Sequence, residues 1–415
     1  MNVGKTIFVG SLAVLGSGAL GFVWRDLKQG KMPDAGATSR LAGVRTVAKQ
    51  SSEEVFRQTF SQIRHGYYRA VKPDSLKYAG IQGLMGSLGD PHTIFLPPRA
   101  AAAFSEETRG NFYGVGARLQ GDTLGAAVRT VFEDGPAYAA GLRAGDVIIQ
   151  VNGKKVSGQP IDDIVQQIKG KEGTLVTLVI ARPKAEKPIS MQIKRARIVA
   201  PSVESKYLEG SKMGYVSISN FAEPTTEQFD KELSRLDEKK ITGLVIDLRS
   251  NPGGLLDTAA ELMSRFVENK TVVTMRGRDG REEIVRSYSG AVRNWPYPVA
   301  VLIDENSASA SEIFAGGLQD YKKATLVGTH SYGKASVQNI YPIIDRSSAK
   351  ITIAKYYLPG GEFIGRKVDD DGIFVSGGLK PDVEVELNLD GEIEFGNPAK
   401  DNQLQRAIDV LKTKN

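Results

Sequence analysis

The stretch PVAVLIDENSASASEIFAGGLQDY, Pro298 to Tyr321, decides how this chain is read. Val299 to Ile303 is an unbroken apolar run, as expected of a buried strand. Ile313, Phe314 and Leu318 place a helix after it. The same strand–turn–helix grammar extends outward: GYVSISNF leads to EQFDKELSRL, GLVIDLRSNPGG to LLDTAAELMSRF, and ATLVGTHSYGKASVQNIYPI comes after. Repeated units of this kind imply α/β layers. NQLQRAIDVLK supplies a closing helix, residues 401–415.

Three hydroxyls, Ser307, Ser309 and Ser311, sit in the turn of the opening stretch. A helix N-terminus offers unpaired N–H groups and partial positive charge, which suits an oxyanion. Small side chains let a substrate backbone approach. Against this, Ser309-Ala310-Ser311-Glu312 fits the S-x-x-E capping box. On spacing alone the cap is the stronger reading. Further on, GKASVQ sets Lys334 four residues before Gln338, so on a strand both face one side and Gln338 can orient the amine.

Ahead of the α/β part the texture differs. Residues 51–109 read as a helical unit, with Val55, Phe56, Phe60 and Ile63 at helical spacing and a second helix near Asp74 to Leu88, ending at GDPHT. Residues 110–197 are short strands and glycine turns. Within them Ile161, Ile164, Val165 and Ile168 form one helical stripe and TLVTLVIAR reads as a strand. This region resembles a PDZ domain of the permuted bacterial kind, through GPAYAAGLRAGDVIIQVNG, Gly135 to Gly153. Such modules add a peptide as an extra strand and hold its C-terminal carboxylate on backbone N–H groups. The resemblance sets Tyr113, Gly114, Val115 and Gly116 as the peptide-binding loop.

DLRSNPGG, ENSASASEIFAGGLQDY and GKASVQ, with the PDZ signature and the later IAKYYLPGG and GLKPDVEV, resemble the carboxyl-terminal processing (tail-specific) serine protease family over residues 50 to 412. The motifs occur in the family's order. The resemblance implies a multidomain α/β protein: a crotonase-like protease core over residues 198–400, with an inserted β-rich PDZ domain and the helical unit before it. It implies Ser309 as nucleophile, Lys334 as general base and Gln338 as its orienting partner. The N–H groups of Ala310 and Gly254 would form the oxyanion hole, with Gly253 the runner-up. Asp320 takes a supporting position. Two departures stand out: Ala335 replaces the family's usual glycine, and GRKVDDDGIFVSGG is longer than the usual connection.

The implied chemistry is coherent. A free lysine titrates near 10.4; lowering it to about 7.5 costs on the order of 4 kcal/mol, which burial can supply. Neutral Lys334 would then accept the Ser309 proton as the hydroxyl attacks a peptide carbonyl. Two N–H donors would stabilise the oxyanion by roughly 3 kcal/mol each. No metal or other cofactor is needed. The function expected is a serine endopeptidase that cuts exported proteins near apolar C-terminal tails under control of its PDZ domain. The alternative, from another class, is a catalytically silent PDZ scaffold that binds such tails.

Composition agrees with a soluble multidomain protein of 415 residues, 41% hydrophobic and 25% charged. Absence of cysteine excludes disulfides and thiolate catalysis, and three histidines (His65, His92, His330) argue against a His-rich metal site. The net charge of +6 comes from scattered Lys and Arg, which is no nucleic-acid footprint. Thr6 to Trp24 is an uncharged stretch of 19 residues, read as a signal peptide or membrane anchor within residues 1–27, followed by a linker over 28–50. The rest is then expected outside the cytoplasm, in the periplasm or cell envelope, with membrane association through the N-terminus. An adaptor protein and a homo-oligomer are left open. Ser347-Ser348-Ala349-Lys350, an S-x-x-K string, reads as chance, His330 as a surface residue, and Asp369-Asp370-Asp371 as a solvated loop.

Overall fold

The structure, a computed structural model, describes residues 51–369 and 374–414. The expected signal or anchor segment and linker lie outside these residues, as do Asp370 and Asp371. Among the described residues no helix is long and apolar enough to cross a membrane.

The chain divides into two compact units, one ending at Ile81 and the other beginning at Gln82. In the first, α1 (Ser52–Gly66) starts where the Ser51 hydroxyl accepts the Glu54 N–H at 3.2 Å. Val55, Phe56 and Ile63 keep the helical spacing read from sequence, yet α1 buries none of its residues. Then α2 (Pro73–Gly86) opens on proline, whose missing N–H would be unpaired there anyway.

The second unit opens with β1 (Ile94–Leu96) and α3 (Pro98–Arg109). Within the stretch read as helical, α3 is a helix not singled out beforehand, because its run of four alanines carries no apolar stripe. It stops at Gly110, whose φ of 63° is the left-handed C-cap conformation. Next come β2 (Asn111–Gly114), β3 (Ala117–Asp122), β4 (Gly125–Val131), α4 (Pro136–Ala139), β5 (Val147–Val151), β6 (Lys154–Lys155), α5 (Ile161–Ile168), β7 (Leu175–Ala181), β8 (Ile189–Lys194) and β9 (Ala196–Val199). Strands run β3-β4-β5-β7-β8, with β6 on β5, while β2 and β9 pair antiparallel where the chain enters and leaves. Ile164 and Ile168 of α5 are buried in one core with Val128, Ile148, Val176 and Ile180.

The α/β part follows: β10 (Val203–Leu208), β11 (Met213–Ile218), α6 (Thr225–Glu238), β12 (Leu244–Asp247), α7 (Leu256–Met263), β13 (Thr271–Gly277), β14 (Glu282–Arg286), β15 (Val299–Ile303), α8 (Ala310–Asp320), β16 (Thr325–Gly328), β17 (Ser336–Pro342), β18 (Ser348–Tyr357), β19 (Lys367–Val368), β20 (Phe374–Ser376), β21 (Val383–Glu384) and α9 (Asn402–Lys412). One sheet has the order β10-β11-β12-β15-β16-β21, parallel from β11 onward. Alternation explains its continuous apolar strands. Ile246, Val301 and Ile303 pack in one core with Phe229 of α6, Leu262 of α7 and Phe314 of α8. Val245, Ala300 and Leu302 instead pack with Leu404, Ile408 and Leu411 of α9. Both faces are covered, so the strands have no polar side. A second sheet runs β1-β18-β13-β14, antiparallel, with β17 also on β18.

A buried ionic clamp ties α9 to the end of β12. The Arg249 guanidinium donates to Asp247 Oδ2 and Asp401 Oδ2, each at 2.6 Å, and to Gln403 Oε1 at 2.9 Å. Asp247 also accepts the Tyr215 hydroxyl at 2.7 Å. The clamp fixes the start of the Leu248–Leu255 loop, which forms one wall of the site described next.

Candidate active site

Two loops leave the C-terminal ends of neighbouring parallel strands, β12 and β15, and meet. Open α/β sheets use this edge for ligands. The loop after β15 carries the three serines, and their surroundings differ sharply. Ser307 is fully buried; its hydroxyl donates to Leu248 O at 2.8 Å and accepts the Asp304 N–H at 3.0 Å. Ser311 is also fully buried and donates to Asn251 O at 3.0 Å. Ser309 alone of the three lines an open cavity of about 580 Å³. Lys334, Gln338, Gly253, Gly254 and Ala310 line the same cavity.

Ser309 has φ 59° and ψ −116°, a strained backbone for a residue with a Cβ. Such strain costs about 1–3 kcal/mol. Burial of Ile313, Phe314 and Leu318 at roughly 2 kcal/mol each outweighs it and holds α8 in place. Local bonds fix the turn itself. Ala308 N–H donates to Asn251 O at 3.0 Å, and Ser309 N–H donates to Glu312 Oε2 at 2.8 Å. The glutamate of the capping box therefore engages Ser309 through its backbone.

Glu312 is fully buried, and four further donors converge on it, the most distant being the Tyr356 hydroxyl at 3.4 Å from Oε2. Ser331 Oγ and Gly333 N–H donate to Oε1, both at 2.6 Å, and Lys334 N–H donates to Oε2 at 3.0 Å. Ala335 follows with φ 44°, the left-handed region that glycine occupies without strain. This accounts physically for the expectation of glycine there.

The Lys334 amine is pushed down to about 8, first by burial and then by the charge of Lys350; Glu312 and Asp90 pull weakly the other way. Asp90 belongs to the GDPHT turn, which docks on β18 where Thr352 N–H donates to Thr93 Oγ1 at 3.0 Å. Lys334 itself precedes β17, and Ala335, next to it, has the left-handed φ of 44° rather than extended backbone. The i, i+4 strand rule therefore does not relate Lys334 to Gln338. Both still face one cavity, and the Gln338 amide donates to Ser336 Oγ at 2.9 Å and Thr352 Oγ1 at 3.3 Å.

The loop after β12 presents backbone to Ser309. Asn251 is its keystone: its amide donates to Ile218 O at 2.7 Å and its Oδ1 accepts Gly253 N–H at 2.9 Å. A Cβ on Gly253 would lie 2.7 Å from Ser309 Cβ and 2.8 Å from the Ala310 nitrogen, so only glycine fits.

The remaining sequence candidates lie as follows. His330 does not line the cavity; among the described residues its buried Nδ1 has no hydrogen-bond partner, and its ring meets Phe374 edge-on at 6.4 Å. Asp320 Oδ2 accepts Gly360 N–H at 2.8 Å. Tyr113 and Gly114 pair with Arg197 and Ala196 across the β2–β9 clip. Val115 is buried, and Gly116 turns with φ 82° into the edge strand β3, beside which α5 packs. Among the described residues no cluster suits a metal ion. Asn251, Tyr356 and Lys350 of the cavity region were not read as site residues from the sequence.

Residues 212–385 match the model of peptidase family S41, and residues 128–182 match a PDZ domain model. The chain is 35% identical over 336 residues to the carboxy-terminal processing protease CtpB of Bacillus subtilis (strain 168), covering 79% of this chain and 70% of that one. It is 34% identical over 338 residues to a protein of Staphylococcus aureus (strain COL) named "Probable CtpA-like serine protease", covering 81% of this chain and 65% of that one. The chain thus spans about two thirds of the length of these relatives. A solved structure from Bacteroides fragilis NCTC 9343, titled "Putative S41 protease", shares the fold with a TM-score of 0.50 at 20% identity, over 86% of this chain and 97% of that one.

Proposed function

This chain belongs to the S41 peptidase family, and from that premise we propose that it is a Ser–Lys endopeptidase acting near the C-terminal tails of exported proteins. The observation that carries this reading is the shared cavity of Ser309 and Lys334, with the amine held down to about 8. At pH 7 about a tenth of Lys334 is then neutral and able to accept the Ser309 proton. The attacking hydroxyl forms a tetrahedral intermediate, and the proton passes from Lys334 to the leaving amine. Gly253 N–H is already bonded to Asn251, which favours Gly254 over Gly253 as the second oxyanion donor beside Ala310. Gln338 acts by holding the Lys334 side of the cleft through Ser336 and Thr352.

The core is crotonase-like in this reading, and the Thr6–Trp24 stretch supports export as a signal peptide or anchor. The edge strand β3 beside α5 suits strand addition by an apolar tail, with its carboxylate on the Tyr113–Gly116 loop. Proteolysis of an unfolded protein bearing such a tail, by the native chain and by Ser309→Ala and Lys334→Ala, tests the reading. Loss of cleavage in both variants supports it. Tail binding without cleavage by the native chain would instead indicate a PDZ scaffold.

A further inference from the structure

Strand β18 brings a second lysine to the site. Lys350 and Thr352, two residues apart on one side of the register shift, share one face of the strand. That side meets Gln338, whose amide donates to Thr352, and Lys350 and Tyr356 both line the cavity of Ser309 and Lys334. Lys350 is held in the middle of the sheet by pairing with Ile340 on β17 and Ile94 on β1. Its ammonium lies 5.3 Å from the centre of the Phe104 ring on α3 and makes no ion pair among the described residues. A half-buried cation without a paired counter-ion is costly and is retained where its field has a use.

We propose that Lys350 is a positioning residue: a second cation on the wall of the Ser309 and Lys334 cavity whose charge favours the proton-accepting form of the Lys334 amine. This rests on the Ser309–Lys334 reading above and adds a second lysine to it. The groups that face Lys334 come from three elements. Glu312 on α8 is already engaged by five donors, Asp90 and His92 lie on the turn before β1, and Lys350 comes from β18. Lys350 is the largest of these charges in effect, second only to burial. Burial lowers the Lys350 amine as well, and the charge of Glu107 on α3 opposes that loss of the Lys350 proton. The two lysines thus differ in their charged neighbours: Glu107 attracts Lys350, while the charge of Lys350 acts against the Lys334 ammonium.

The test is competitive acetylation of each lysine across pH, read by mass spectrometry on the intact chain, in the native protein and in Lys350→Arg, Lys350→Met, Lys350→Gln and Lys350→Glu. The readout needs no turnover, so it can fail while Ser309 remains the nucleophile, and succeed while it does not. Methionine and glutamine should raise the Lys334 titration by about half a unit, roughly a threefold loss of neutral amine at pH 7. Glutamate should raise it further, and arginine should leave it near its native position. The acid limb of kcat/KM should move with it. If one neutral variant does not fold, the other carries the comparison with arginine. A titration unmoved in the neutral variants, or moved as far by arginine as by them, would overturn the proposal.

Discussion

The backbone N–H groups of Ser309 and Lys334 donate to the same oxygen, Oε2 of Glu312, at 2.8 and 3.0 Å. One buried carboxylate thus sets the spacing of two loops that lie 25 residues apart in the chain. Its other oxygen takes Ser331 and Gly333, so all its strong acceptor directions are filled.

Glu312→Gln should therefore be severe although nearly isosteric. The amide would point an NH2 group at two donors, leaving them buried and unpaired at about 1–3 kcal/mol each. Chemical denaturation should show a loss above about 2 kcal/mol, and activity should fall at least tenfold even where the protein remains folded. Native-like stability in this variant would mean that the carboxylate is not what holds the two loops.

The pH dependence follows from Lys334 at about 8. Cleavage should rise nearly tenfold per unit below pH 8 and level off above it, because only the neutral amine accepts a proton. The linked stability has the same sign. Between about 8 and the ordinary value near 10.5 the unfolded chain binds more protons at this residue, so its contribution to folding stability rises with pH there. A kcat/KM profile flat from pH 6 to 9 would contradict the assignment of the base.

Much of this was legible in the sequence. Continuous apolar strands such as Val299–Ile303 announce a sheet covered on both faces, and α9 runs over the same Asn402–Lys412 stretch that the closing pattern marks. Ser309 and Lys334 could be named because their motifs carry them. What could not be read was set by tertiary contacts. Glu312 looks like a helix cap from spacing, and only the fold brings Ser331, Gly333 and Lys334 to it. Lys350 was set aside because Ser347 and Lys350 make no catalytic pair. The lysine matters alone, through a strand pairing with Ile340 and Ile94 that local spacing does not reveal. The left-handed backbone of Ala335 likewise breaks the simple period between Lys334 and Gln338.

Arg249 offers a test of the scaffold away from the cavity. Arg249→Ala would leave Asp247 and Asp401 buried with no cation between them, a loss of about 3–5 kcal/mol. Lysine should rescue little, because it cannot reproduce the forked contacts to both carboxylates. Thermal unfolding of the two variants against the native chain checks this.

The three serines should separate cleanly. Ser307→Ala removes a buried hydroxyl that both donates and accepts, so stability should fall by about 1–3 kcal/mol with part of the activity retained. Ser311→Ala should behave similarly, with a smaller loss. Ser309→Ala should abolish turnover with little change in melting temperature, since loss of a cap costs about 1 kcal/mol. His330→Ala should keep most of the activity.

The most direct measurement is the site and rate of covalent capture by a serine-directed phosphonate at neutral pH, mapped by mass spectrometry. The account predicts one adduct, on Ser309, lost in Lys334→Ala and kept in His330→Ala. An adduct on Ser307 or Ser311, or capture of Ser309 at an undiminished rate without Lys334, would contradict it.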